Sequence, residues 1–74
     1  KLMARAMLEY TKTVLEKVSF NMGLFKRELK KAMNYLLPNE IDELLIWLRD
    51  YSREKPEVKP AVLYLESKRN RSLS

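Results

Sequence analysis

The side chains of this chain that could do chemistry are lysines, carboxylates, hydroxyls and phenols, because its 74 residues include no histidine and no cysteine. Imidazole is the usual proton shuttle near neutral pH, and thiolate is the strongest nucleophile among side chains. No serine, threonine, tyrosine or lysine is flanked by an activating partner in a recognisable motif. We therefore expect no catalytic residue and interpret the chain as non-enzymatic.

The carboxylates do not form a metal-binding pattern either. Glu40, Asp42 and Glu43 lack the glycine and oxygen spacing of a calcium loop. The single glycine, Gly23, cannot make a phosphate-cradling loop. The three carboxylates instead fit the first turn of a helix, where the helix dipole favours negative charge. The sequence thus predicts no metal, no cofactor and no small-molecule substrate.

Positive charge is concentrated in two parts of the chain. The net charge of +5 divides into +3 for residues 21–37, −3 for residues 38–52, +3 for residues 53–74 and +2 for the remainder. The candidate anion-binding residues are Lys26, Arg27, Lys30, Lys31, Lys68, Arg69 and Arg71. The first four pair at a spacing of four, so like charges stack on the outside of a helix. This is typical of a solvated face, and alternatively indicates a strip that binds phosphate or an acidic protein.

Nucleic-acid binding by a basic accessory protein is the alternative function that these charges allow. In a helix-turn-helix, the second helix enters the major groove with its amino end first. Here that end, residues 39–43, would present three carboxylates to the phosphates, so this geometry is unfavourable. The alternative function is therefore nucleic-acid binding through the second predicted helix and the basic C-terminal residues.

The first two predicted helices meet at a capping signal. Apolar residues at steps of three and four predict a helix over about residues 2–18. They are Met3, Met7, Tyr10 and Val14, with Leu8, Leu15 and Val18 widening the stripe. Asn21 is a good amino-terminal cap for the next helix. Phe20 before the cap and Phe25 after it are spaced as a hydrophobic staple.

The second and third predicted helices are separated by a proline. The second helix runs from about Met22 to Leu36 and ends because Pro38 disfavours helical geometry at Leu37. Its buried face is predicted to be Phe25, Leu29, Ala32, Met33 and Leu36. The third begins near Pro38, with either Glu40 reaching back to the cap or Asn39 as the cap, and fades at residues 52–55. Its predicted core face is Ile41, Leu44, Leu45, Leu48 and Tyr51, extended by Ile46 and Trp47.

The C-terminal residues are predicted to be separate from this bundle. Two prolines indicate an extended, semi-rigid spacer over residues 54–60. Residues 60–66 favour a short fourth helix over a strand or coil, and residues 67–74 are expected to fray. The predicted fold is therefore all-α, with a three-helix bundle over residues 1–55 and a linker and tail over residues 56–74.

The predicted helices carry more apolar surface than a three-helix monomer can cover. The candidate partner-binding residues are Met3, Met7, Tyr10, Val14, Trp47 and Tyr51. Exposed apolar patches usually mark an interface. The sequence therefore favours a non-catalytic helical module for protein–protein interaction or oligomerisation, and the expected partner is another protein or a second copy in a dimer, including one that exchanges a helix.

Membrane insertion is not expected. The longest charge-free apolar run, residues 44–48, is far shorter than the ~20 residues that span a bilayer. Arg5 and Glu9 interrupt the apolar residues near the amino end, unlike a signal peptide. A cytoplasmic location is the expectation.

Three segments carry a resemblance: YTKTVLEKVSF at residues 10–20, FKRELKKA at residues 25–32 and LLP at residues 36–38. In these segments the chain resembles a group of short uncharacterised bacterial proteins, over about residues 10–48. The resemblance implies a bacterial cytoplasmic protein. It implies no activity, cofactor or site residue.

Overall fold

Four α-helices make up the part of the chain that the structure describes, which is the backbone of residues 2–73 and the side chains of residues 6–69. In this computed structural model the helices are α1 (Leu2–Lys17), α2 (Met22–Tyr35), α3 (Pro38–Glu54) and α4 (Lys59–Leu73). A 3-10 turn, Pro56–Val58, precedes α4. No strand occurs within residues 2–73. The all-α fold predicted from the sequence is confirmed.

The start of α2 follows the predicted cap. Asn21 has an extended backbone, and its Oδ1 accepts a hydrogen bond from the Leu24 N–H at 3.1 Å. Gly23 leaves room for this bond, since a Cβ there would lie 3.2 Å from Asn21 Oδ1. The expected staple does not form as a buried pair, because Phe25 is fully buried whereas Phe20 is 77% exposed.

The start of α3 depends on Glu40 rather than on Asn39. The Leu37 N–H donates to Glu40 Oε1 at 2.8 Å, and Pro38 occupies the first helical position. Proline is favoured there because its missing N–H would have no partner inside the helix. Leucine has no side-chain acceptor, so only the Glu40 half of a capping box is present.

The core contains side chains from all four helices and the 3-10 turn. It comprises Leu8, Leu15, Phe25, Leu29, Ala32, Leu36, Ile41, Leu44, Leu45, Leu48, Val58, Ala61, Val62 and Leu65. Met33 and Tyr51, both expected in it, are only partly buried. The prediction that Ile46 extends the core is wrong, since it is 65% exposed. Two residues turn a helix by about 200°, so Ile46 lies nearly opposite Leu48 on α3.

The buried side of α1 differs from the predicted stripe. Leu8, Thr11 and Leu15 are buried, at spacings of three and four. Met7 and Tyr10 lie to one side of this line and remain exposed. The apolar residues of α1 therefore divide between a core side and a surface side.

The extended spacer predicted over residues 54–60 is not present. Glu54 ends α3, the 3-10 turn follows after the single residue Lys55, and α4 begins at Lys59 and is longer than the short helix expected. Both prolines lie at the beginning of a helical segment, where proline is tolerated. The radius of gyration, 11.5 Å, is close to the roughly 11 Å of a compact domain of this length. Residues 56–65 thus contribute to the same core as the three preceding helices.

Candidate functional site

One exposed apolar surface lies where α1 meets α2, and we call it the tyrosine face: Met7, Tyr10 and Tyr35. Its three side chains are exposed by 37%, 60% and 43%, respectively. Buried Thr11 connects Met7 with Tyr35. The Thr11 hydroxyl donates to the Met7 carbonyl oxygen at 2.8 Å, and its Oγ1 lies 3.0 Å from the Tyr35 hydroxyl. Because threonine has only one hydroxyl proton, the Tyr35 hydroxyl is the donor in the second bond.

The predicted partner-binding residues of α1 have different environments. Met7 and Tyr10 are on the tyrosine face, and Val14 is partly buried. The side chain of Met3 lies outside the described residues. Among the described side chains of this set, Met7 and Tyr10 are therefore the exposed ones.

The other two predicted partner-binding residues lie together on α3. The rings of Trp47 and Tyr51 are stacked, with centroids 5.0 Å apart and planes 9° from parallel. Both are partly buried and pack against the core. Trp47 also borders an open depression of about 380 Å³ on the outside of α3. The pair therefore lies at the edge of the core, and only part of each ring is exposed to solvent.

A second surface, the lysine cluster, lies where α2 meets α4: Lys26, Lys30 and Lys68 around the ring of Tyr64. The Nζ atoms lie 5.8, 6.0 and 5.8 Å from the ring centroid, respectively. Lys26 and Lys30 are one turn apart on α2, as Tyr64 and Lys68 are on α4. Three of the seven predicted anion-binding residues thus converge on one point.

The other predicted anion-binding residues do not join this cluster. Arg69 is turned toward α3, where its Nε and Nη2 donate to the two oxygens of Asp42 at 2.7 and 3.1 Å. Hydrogen bonding between the two holds the pKa of Asp42 below its ordinary value and raises the pKa of Arg69. Lys31 pairs with Glu28 at 3.4 Å, and Arg27 is exposed on another side of α2. The side chain of Arg71 lies outside the described residues.

Three other features of the described residues concern metal binding, buried polar groups and membrane insertion. Within residues 6–69, no group of three or more acidic side chains is arranged to hold a metal ion. Every buried polar side-chain atom in this range has a hydrogen-bond partner. Nor is any helix within residues 2–73 both long and apolar enough to cross a membrane.

Sequence reasoning missed Thr11, Tyr35 and Tyr64. Tyr64 had a signal, since it lies four residues before Lys68 and so on the same side of a helix. Tyr35 and Thr11 had none, because their meeting depends on how α1 crosses α2.

Comparison of the chain with family models, with curated proteins and with solved structures finds no match. The resemblance of residues 10–48 to short bacterial proteins therefore stays a prediction.

Proposed function

We propose that this chain is a non-catalytic helical module that binds protein through the tyrosine face, and that its partner is a second copy of the same chain. The observation that supports this proposal is the exposure of three large side chains around buried Thr11. Met7 and Tyr10 lie one helical turn apart on α1, and an exposed apolar patch on a small domain is typical of an interface.

The composition of the tyrosine face suits protein binding. Tyrosine and methionine are enriched in interface cores, where lysine and glutamate are depleted. A tyrosine offers a large contact area and has only two side-chain torsions to fix, so little entropy is lost on binding. The hydrogen bond from Tyr35 to Thr11 already restrains one of the two rings in the free chain.

A second copy is the partner we favour because α1 carries the spacing of a helix–helix seam. Met3, Met7, Tyr10 and Val14 are separated by four, three and four residues. This is the spacing of the positions at which two helices pack together along a seam. In a two-fold symmetric pair, the seam of one copy would meet the same seam of the other.

Trp47 and Tyr51 are secondary candidates for contact with the partner. Each is partly buried against core residues, so a substitution there would change stability as well as association. Met7 and Tyr10 are better test positions because they are exposed.

Sedimentation velocity over a concentration series tests the proposal. The double variant Met7→Ser/Tyr10→Ser should raise the dissociation constant of the dimer by about tenfold or more, the effect of losing an interface anchor. The control Ile46→Ser/Leu63→Ser also removes two exposed apolar side chains, but from α3 and α4. It should leave the constant within about twofold of the wild-type value.

Two results would reject self-association through this face. One is a wild-type chain that sediments as a monomer at the highest concentration reached. The other is equal weakening of the dimer in both double variants. Circular dichroism of each variant shows whether its helices are retained.

A further inference from the structure

The lysine cluster concentrates positive charge around one ring. Three ammonium groups lie within 6.0 Å of the Tyr64 centroid, so no two of them are farther apart than twice that distance. Like charges at such separations repel each other. Attraction of each ammonium to the ring offsets part of this repulsion. A bound anion would offset the remaining repulsion between the ammonium groups.

Nearby carboxylates do not neutralise the two lysines that α2 contributes. Glu28 pairs with Lys31, and Glu66 of α4 pairs with Arg49 at 2.8 Å. Among the described side chains, Lys26 and Lys30 form no ion pair with a carboxylate. The cluster therefore presents net positive charge to solvent.

We infer that the lysine cluster binds single-stranded nucleic acid, with backbone phosphates at the lysines and a base against the exposed part of Tyr64. Proteins that bind single strands without sequence preference combine positive charge with aromatic side chains on which bases stack. Here both elements occur at one point, because Tyr64 is partly exposed at the centre of the three ammonium groups. This inference does not depend on the proposed self-association.

The surroundings of the cluster favour a single strand over a wide anionic surface. Arg69, next to Lys68 in the chain, is bound to Asp42 in the first turn of α3. Asp42 remains 53% exposed, so a carboxylate borders the cluster on this side. A duplex or a lipid bilayer would place phosphates over this carboxylate as well. A single strand can follow the cluster and avoid it.

Fluorescence anisotropy with a labelled oligothymidylate of about 15 nucleotides tests the inference. If Lys26 and Lys30 each neutralise a phosphate, they should contribute about −1.4 to the slope of the logarithm of the affinity against the logarithm of salt concentration. The variant Lys26→Ala/Lys30→Ala should make that slope shallower by about 1.4 and weaken binding by about tenfold or more in low salt.

Substitutions of Tyr64 test the aromatic contribution. Tyr64→Phe keeps the ring and should bind within about twofold of wild type, whereas Tyr64→Leu should bind roughly tenfold more weakly. Because Tyr64 packs against the core, circular dichroism is recorded for both variants. Should Tyr64→Leu lose helical structure, the comparison of the lysine variants decides the question alone.

A charge-matched control separates the cluster from the net charge. Arg53→Ala/Lys59→Ala removes two positive charges near the junction of α3 and α4, and should bind at least fivefold more tightly than Lys26→Ala/Lys30→Ala. Equal weakening in the two variants would overturn the inference, as would no binding of the oligonucleotide in low salt. Tighter binding of a duplex of equal length, of phosphatidylserine vesicles or of polyglutamate would also overturn it. Met7→Ser/Tyr10→Ser, the variant that tests self-association, should still bind the oligonucleotide.

Discussion

The two surfaces on either side of α2 differ in charge although each is built around a tyrosine. Near the end of α2, Tyr35 meets α1 and donates a hydrogen bond to buried Thr11. Near its beginning, Lys26 and Lys30 meet α4 over the ring of Tyr64. One surface is uncharged and apolar, and the other is strongly positive. The comparison teaches that each surface combines side chains of α2 with those of the helix packed beside it, so that α1 completes an apolar face and α4 a positive one.

The largest expected effect comes from breaking the core beneath both surfaces. Leu29 of α2 is fully buried, and Leu29→Ala should lower the free energy of unfolding by about 2–5 kcal/mol. That is a large share of the total stability of a domain this size, which is on the order of 5–10 kcal/mol. Urea denaturation followed by circular dichroism measures it, and both binding activities should weaken together.

Leu63→Ala is the matched control for this prediction. Leu63 is 65% exposed on α4, so its loss should change the free energy of unfolding by less than about 0.5 kcal/mol. If both leucine variants were equally destabilised, the core as described here would be wrong.

A smaller effect is expected from loosening the tyrosine face alone. Thr11→Val keeps the shape of the side chain but removes its bonds to the Met7 carbonyl and the Tyr35 hydroxyl. We expect a loss of about 1 kcal/mol in the free energy of unfolding and weaker self-association, with oligonucleotide binding unchanged.

Thr13→Val provides the comparison for this substitution. The Thr13 hydroxyl donates to the Glu9 carbonyl at 3.1 Å, the same bond along the helix, but it is exposed. Thr13→Val should therefore leave stability and self-association nearly unchanged. Equal effects of the two valine variants would show that Thr11 does not organise the face.

The smallest effect concerns the bond that keeps Arg69 out of the lysine cluster. The hydrogen bond from Arg69 lowers the pKa of Asp42 in the folded chain, so folding favours the ionised carboxylate. This contribution to stability is present above the unfolded pKa of about 3.9 and is lost as pH falls through the lower folded value. Thermal unfolding between about pH 2 and pH 6 measures it.

Asp42→Asn should reduce the loss of stability in this acidic range, and Arg69→Gln should give the same profile by removing the other partner. An Asp42→Asn chain with the acid sensitivity of the wild type would contradict the assignment. Asp42 is exposed, so the change is expected to be small.

The sequence predicts the helices well because their signals are local. The cap at Asn21, the proline at position 38 and the carboxylate of Glu40 each act within one helical turn. The predicted spacer before α4 is wrong for a physical reason. Two prolines are compatible with an extended spacer and equally with the starts of two helical segments. Burial of Val58 in the shared core favours the second arrangement.

The candidate surfaces were only partly predictable because they form between helices. Helical periodicity predicted that Met7 and Tyr10 share one side of α1 and that the lysines of α2 share another helix surface, because each set lies on a single helix. It could not show that Tyr35 would meet Thr11, or that Tyr64 would lie among lysines of another helix. Nor could it show that Arg69 would pair with Asp42 of α3.

The most direct test of the account is the concentration dependence of sedimentation for two variants, one from each surface. We predict that Met7→Ser/Tyr10→Ser weakens self-association by about tenfold or more, whereas Lys26→Ala/Lys30→Ala leaves it within about twofold of wild type. Equal weakening in the two variants, or a wild-type chain that stays monomeric at every concentration, would contradict the claim that the tyrosine face is the interaction surface.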